Sequence, residues 1–230
     1  MLREVEAWAG SEYPAALQKG DRLAGAERAA AVERLSRYTG LRPEYVEAAD
    51  LRVEIQRFCK ELLRQKRRTV GRLDSRFVGI DKSAASETPD FDPSLAAIRP
   101  PYTAMFNDYV RRELGYETDV PYHILGGRVE PWDFGDPNSF TDTSEALQAA
   151  LARNPDMRVF VASGHYDLAT PYFATEYTLS HMGLDPGLRQ RIVTAEYEAG
   201  HMMYIHEGEL ARLKQDVAAF LDKALSKAPD

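Results

Sequence analysis

Over residues 1 to about 66, apolar side chains recur at helical spacing and Gly and Pro separate the repeats. "EVEAWAGSEYPAALQKG" runs to Gly20 and "GAERAAAVERLSRYTG" to Gly40. "DLRVEIQRFCKELLRQKR" starts on Asp50, which the pattern predicts as an N-cap. "TVGRLDSRFVGID" has the β-branched and aromatic content of an extended segment, and the small, polar, Pro-bearing "KSAASETPDFDPS" reads as a loop. "LAAIRPPYTAMFNDYVRREL" is predicted as a helix interrupted near its start by Pro100 and Pro101. "GGRVEPWDFGDPNSF" reads as a loop whose aromatic residues pack against a surface.

The periodicity changes after residue 142. "DTSEALQAALARNP" is a helix with a capping start and "MRVFVASG" a continuous apolar strand. "TPYFATEYTLSHMG" is a helix, "RQRIVTAEYEAG" a strand and "HEGELARLKQDVAAFLDKAL" a long amphipathic helix. That alternation belongs to parallel α/β units with strands covered on both faces. Two strands do not complete such a sheet, so the expectation is the end of an α/β domain without its beginning. Residues 1–140 are expected to be a mainly helical region and 141–230 an α/β segment.

Composition narrows the function classes. Of 230 residues, 44% are hydrophobic and 28% charged, which is ordinary globular composition. A net charge of −7 argues against nucleic acid as the main partner. The one basic run, "LLRQKRRTVGR", is short and reads as a solvated helix end. No apolar run approaches the roughly 20 residues of a membrane span, and the first residues lack a signal peptide's apolar stretch, so the chain itself reads as soluble. Cys59 is the single cysteine, in the apolar "IQRFCKELL", where it is expected to be a small core residue.

The chemistry gathers at two strand ends. In open parallel sheets, reactive side chains sit just beyond the carboxyl ends of strands. Asp167 follows "VFVAS" and His201 follows "IVTAEYE", so both occupy that edge. An acid and a histidine so placed can form the orienting half of a catalytic triad, and their heavy atoms should then approach about 2.6 to 3.2 Å. The bland alternative is that Asp167 caps the helix beginning near Pro171 and His201 caps the last helix. A metal cluster of His165, Asp167, His201 and His206 is a further possibility, but no His-x₃-His pair lies on one helix. "ASGH" and "EAGH" form no phosphate loop, and no cofactor is implied. The aromatic residues of "GHYDLATPYFATEYT" read as core, and His123 and His181 carry no signal.

"SGHYDLATPYFATEYTLSHMGL" followed by "YEAGHMMYIHEGELARLKQDVAAFL" resembles the C-terminal part of the serine carboxypeptidase family, the S10 peptidases among the α/β hydrolases, in its bacterial branch. "YTGLRPEYVEAADLRVEIQRFCKELLR", "VGRLDSRFVG" and "FDPSLAAI" extend the resemblance over nearly the whole chain. Met203 and Tyr204 stand where plant and fungal members commonly have Val-Pro. The resemblance implies that Asp167, in Gly-x-x-Asp-x-x-x-Pro, is the triad acid and His201, in Ala-Gly-His-Met, the triad base. Residues 1–140 would be a cap over the substrate cleft, and the substrate a peptide cleaved at its C-terminus.

α/β hydrolases place the triad serine first, at a G-x-S-x-G elbow. No serine here has glycine at both −2 and +2. Ser11 in "WAGSEYP" and Ser163 in "FVASGHY" come nearest. The expectation is therefore that the nucleophile lies outside these residues, in an N-terminal segment, and that the partners are a peptide substrate and either that N-terminal half or a second copy of this chain. The other class is a non-catalytic fragment or interaction module that keeps the scaffold. A coding segment for a Gly-Glu-Ser-Tyr-Gly elbow directly upstream would separate the two.

Overall fold

The computed structural model describes residues 1–122, 133–136 and 138–226. His123 and most of the "GGRVEPWDFGDPNSF" loop lie outside the described residues. The helices are α1 (Leu2–Ala9), α2 (Glu12–Lys19), α3 (Gly25–Thr39), α4 (Pro43–Ala48), α5 (Ile55–Glu61), α6 (Pro93–Arg112), α7 (Ser144–Arg153), α8 (Tyr172–His181), α9 (Pro186–Arg189) and α10 (Glu207–Leu225). The strands are β1 (Thr69–Val70), β2 (Val78–Gly79), β3 (Val159–Gly164) and β4 (Ile192–Tyr197). Strand β1 pairs antiparallel with β2, and β3 pairs with β4. The Val159 N–H donates to the Arg191 carbonyl and the His165 N–H to that of Tyr197, a constant offset that makes the β3–β4 pair parallel. This mixture of helices with a small parallel sheet is compatible with an α/β class. No described helix is long and apolar enough to cross a membrane.

Two compact units are present, and neither is a continuous stretch. One comprises Met1–Ser94, Ala162–His181 and Glu196–Lys214; the other Leu95–Val161, Met182–Ala195 and Gln215–Asp230. The change of pattern near residue 140 divides the chain along its sequence, whereas the units divide it in space. In the first unit, Trp8, Leu23, Val32, Leu35, Leu41, Val46 and Leu51 form the buried core. Trp8 stacks at a tilt on Tyr13, at 4.9 Å between ring centroids, and meets Tyr38 edge-on at 5.3 Å. In the second unit, Leu151 and Ile192 are buried and Phe160 lies 5.5 Å from Phe220. Strand β3 is only half-buried over Val159–Ser163, so its apolar run is not sealed like that of a central strand.

Several local expectations change. The first helix breaks at Gly10, giving α1 and α2. Asp50 caps nothing. It and Leu51 take left-handed backbone conformations, with φ of 50° and 61°, and Glu54 caps α5 by accepting from the Gln56 and Arg57 N–H groups. The carboxylate that satisfies orphan donors of the first turn defines the helix start. Helix α6 runs through Pro100 and Pro101 without interruption. Ala96 and Ala97, whose carbonyls lose their partners to the two prolines, are exposed, so water can satisfy them. The basic run does not sit on an α-helix end. Helix α5 stops at Glu61, Arg64–Lys66 form a 3-10 turn and Arg67 is left-handed. Cys59 is fully buried, and burial, followed by the Asp92 and Glu54 charges, pushes its thiol up to about 11, as befits an inert core residue.

Candidate acid–histidine site

Parallel pairing brings the carboxyl ends of β3 and β4 side by side, and the turns that follow them carry Asp167 and His201. Past β3 the chain stays locked to β4's exit, because the Tyr166 N–H donates to the Ala199 carbonyl at 3.0 Å. This approach requires glycine at two positions. A Cβ on Gly164 would stand 2.4 Å from the Ala199 and Gly200 carbonyl oxygens, and one on Gly200 2.5 Å from the Leu73 oxygen.

The segment Gly71–Arg76 brackets both turns. Its backbone accepts from the Leu168 N–H at the Arg72 oxygen, at 2.9 Å, and from the His201 N–H at the Leu73 oxygen, at 2.7 Å. The Ser75 N–H donates to the Tyr166 carbonyl. Asp92 accepts from the Arg72 and Leu73 N–H groups, which holds the bracket from behind. Arg76 forms a forked pair with buried Asp74, at 3.0 and 2.7 Å, donates to the Glu198 carbonyl at 2.8 Å, and lies 4.6 Å over the Tyr166 ring.

Within this frame, Asp167 Oδ2 lies 2.8 Å from His201 Nδ1. The Asp167 side chain is 4% exposed and that of His201 46%. Asp167 Oδ1 accepts from the Ala169 and Thr170 N–H groups at 2.8 and 3.0 Å, and Oδ2 also accepts from the Thr170 hydroxyl at 2.6 Å. Burial opposes the charge, but the bonds from Thr170, His201 and Ala169 outweigh it and hold the carboxyl below its ordinary range. An ionised carboxylate only accepts, so Nδ1 of His201 carries the hydrogen. The ring's bonds among the described residues, to Asp167 and to Thr170 Oγ1 at 3.3 Å, both run through Nδ1. The arrangement fixes the imidazole through Nδ1 against a buried carboxylate while the histidine side chain stays half-exposed.

The bland roles expected for these residues are filled differently. Asp167 closes the turn before α8 instead of capping it. His201 does not cap α10; His206 does, accepting from the Glu209 N–H through Nδ1 at 3.3 Å. His165 faces Glu196 and Glu198 at 3.7 and 3.9 Å. No described group of three His, Cys, Asp or Glu side chains is arranged to hold a metal ion.

Thr170 and the Gly71–Arg76 bracket were not anticipated. An Asp followed three residues later by Thr and then Pro is a local signal for a side-chain-closed turn, so Thr170 was findable. The bracket has no local signal, because its partners lie about 90 to 130 residues away in sequence.

Asp167 ionises more readily in the folded chain than in the unfolded one, so ionisation favours folding. Its contribution is present above the unfolded carboxyl value of about 3.9 and is lost as pH falls through the lowered folded value. The stability gap between the parent and Asp167→Asn, measured by urea denaturation, should narrow as pH falls below about 4. A gap that widens below that pH would contradict this.

No protein-family model, curated protein or solved structure matches the chain.

Proposed function

We propose that this chain supplies the acid and the base of a serine carboxypeptidase-type triad, within the C-terminal part of an α/β-hydrolase fold, and acts on the C-terminal bond of peptides. The observation that carries the reading is the 2.8 Å contact between buried Asp167 and half-exposed His201 at adjacent ends of a parallel strand pair. The sequence resemblance around "GHYDLATP" and "EAGHMM" names the reaction.

In this reading, His201 Nε2 takes the proton of a serine hydroxyl as that oxygen attacks the peptide carbonyl carbon. Asp167 stabilises the resulting imidazolium and prevents the ring from turning. His201 then gives the proton to the departing amine nitrogen as the C–N bond breaks, leaving an acyl ester. A water, deprotonated by the same nitrogen, attacks the ester and returns the serine. The serine belongs to a segment other than these residues.

A scaffold without chemistry is the second reading, favoured by the bonds from Ala169 and Thr170, since the same carboxylate would be needed merely to fold the turn. One experiment separates the two. A native preparation containing this chain should release the C-terminal residue of a blocked dipeptide and take up a fluorophosphonate on a serine outside residues 1–230, while the purified chain alone does neither. His201→Ala should abolish both activities. Labelling mapped to a serine within these residues, or undiminished hydrolysis by His201→Ala, would overturn the proposal.

A further inference from the structure

A second site is formed by the residues that flank the Thr69–Gly79 hairpin in sequence, between the turn after α5 and the loop after β2. Lys60, Arg64, Lys66, Arg67, Arg68, Ile80, Asp81 and Ala84 line a cleft of about 290 Å³. Lys60 is 2% exposed and forms an ion pair with equally buried Asp81, and its ammonium also donates to the Ser83 carbonyl at 2.7 Å. Arg64 donates to the carbonyls of Ala84 and Ser86 and pairs with Glu61. The Asp90 N–H donates to the remaining Asp81 oxygen at 3.1 Å. These bonds tie the 81–86 loop to α5 and the turn behind it, so the cleft has a built wall.

The walls account for two of the five cations. Lys60 is balanced by Asp81 and Arg64 by Glu61. Lys66, Arg67 and Arg68 have no carboxylate partner among the described residues; Arg68 reaches only the Lys66 and Arg67 carbonyls, at 3.5 and 3.1 Å. Three successive residues of a strand would alternate between faces, and three of an α-helix would fan across more than half a turn. Here all three line one cleft because Arg67 is left-handed, with φ of 54° and ψ of 45°. A non-glycine residue in that region is strained, and such strain persists where surrounding structure enforces it, often at ligand sites. In a chain of net charge −7, three cations without a carboxylate partner among the described residues line one small concavity.

We propose that this cleft binds a small, multiply charged phosphate compound. Guanidinium forks match phosphate oxygens in pairs, and three uncompensated cations suit an anion of two to three charges. The volume admits a diphosphate-sized group. Lys60, being paired and buried, shapes the wall; Lys66, Arg67 and Arg68 contact the anion. The site shares no residue with the Asp167–His201 pair and does not depend on its chemistry.

The test is isothermal titration of the full chain with inorganic pyrophosphate at low ionic strength, beside tricarballylate as a carboxylate of similar charge. Saturable one-to-one binding of pyrophosphate is expected, weakening steeply as salt is added. Arg68→Gln and Lys66→Gln should each weaken it about tenfold. Arg67→Gly is the variant that cannot be dismissed as misfolded: glycine relieves the left-handed strain, so it should melt at or above the parent temperature yet bind about tenfold more weakly. Tricarballylate binding as tightly as pyrophosphate would make the site one for carboxylates and overturn the phosphate assignment. No saturable binding, or binding indifferent to Arg67→Gly and Arg68→Gln, would remove the site altogether.

Discussion

Asp167→Ala should cost about 3 to 5 kcal/mol of stability, because it strips the acceptor from donors arranged around a buried carboxylate. The Ala169 N–H, the Thr170 N–H, the Thr170 hydroxyl and His201 Nδ1 all point at it, at 2.6 to 3.0 Å. Water can recover only part of this loss, since Thr170 and His201 are exposed while the carboxylate's own position is not. Asp167→Asn is the sharper chemical probe. It keeps an acceptor oxygen for the two backbone donors and should cost only about 1 to 2 kcal/mol. Its amide N–H then faces His201 Nδ1, which must become the acceptor, so the hydrogen moves to Nε2 and the base is lost. In the native preparation, fluorophosphonate labelling should fall by about 10⁴-fold for this variant. Denaturation midpoints and labelling rates measure the two effects separately. Labelling by Asp167→Asn at the parental rate would reduce the pair to a structural contact and leave the stability argument standing.

Gly200→Ala is also expected to disrupt folding although it adds a single methyl group. The new Cβ would stand 2.4 Å from Asp74 Cβ, 2.5 Å from the Leu73 oxygen and 2.7 Å from Asp74 Cγ. Neither neighbour can move cheaply: Leu73 accepts the His201 N–H, and Asp74 is 1% exposed and gripped by Arg76. Overpacking typically costs about 1 to 3 kcal/mol, and between two fixed neighbours the upper figure applies, which for a chain of this size lowers the melting temperature by roughly 6 to 12 °C. Gly208→Ala is the control. Its nearest neighbours are atoms of the His206 ring, at 3.5 Å and beyond, so alanine in the first turn of α10 should be neutral or slightly stabilising. A Gly200→Ala melt within a degree or two of the parent would mean that the bracket does not press against the His201 turn.

What the sequence determined by itself was local. Glycine at position 40 ends α3 because only a residue tolerant of φ near 74° can turn the chain there, and that signal is readable in the string. Strands β3 and β4 were legible from their apolar and β-branched runs, and the order Asp then His at two strand ends followed from parallel topology. The local signal erred at Asp50: that residue and buried Leu51 form a left-handed turn, and the helix starts later, capped by Glu54. Two prolines forecast a break in α6, yet the helix continues through them, with Ala96 and Ala97 exposed on the preceding turn.

The tertiary structure alone decided how the acid and the histidine are held. Hydrogen bonds from Gly71–Arg76 to Leu168 and His201 join residues too far apart in sequence for any spacing rule to register them. Backbone carbonyls do the holding, and every residue type carries one. The basic run shows the same limit. As a string, "RQKRR" reads as a solvated helix end; the left-handed turn at Arg67 and the wall bonds from Lys60 and Arg64 gather its cations on one cleft, because side-chain direction depends on backbone dihedrals that composition does not encode.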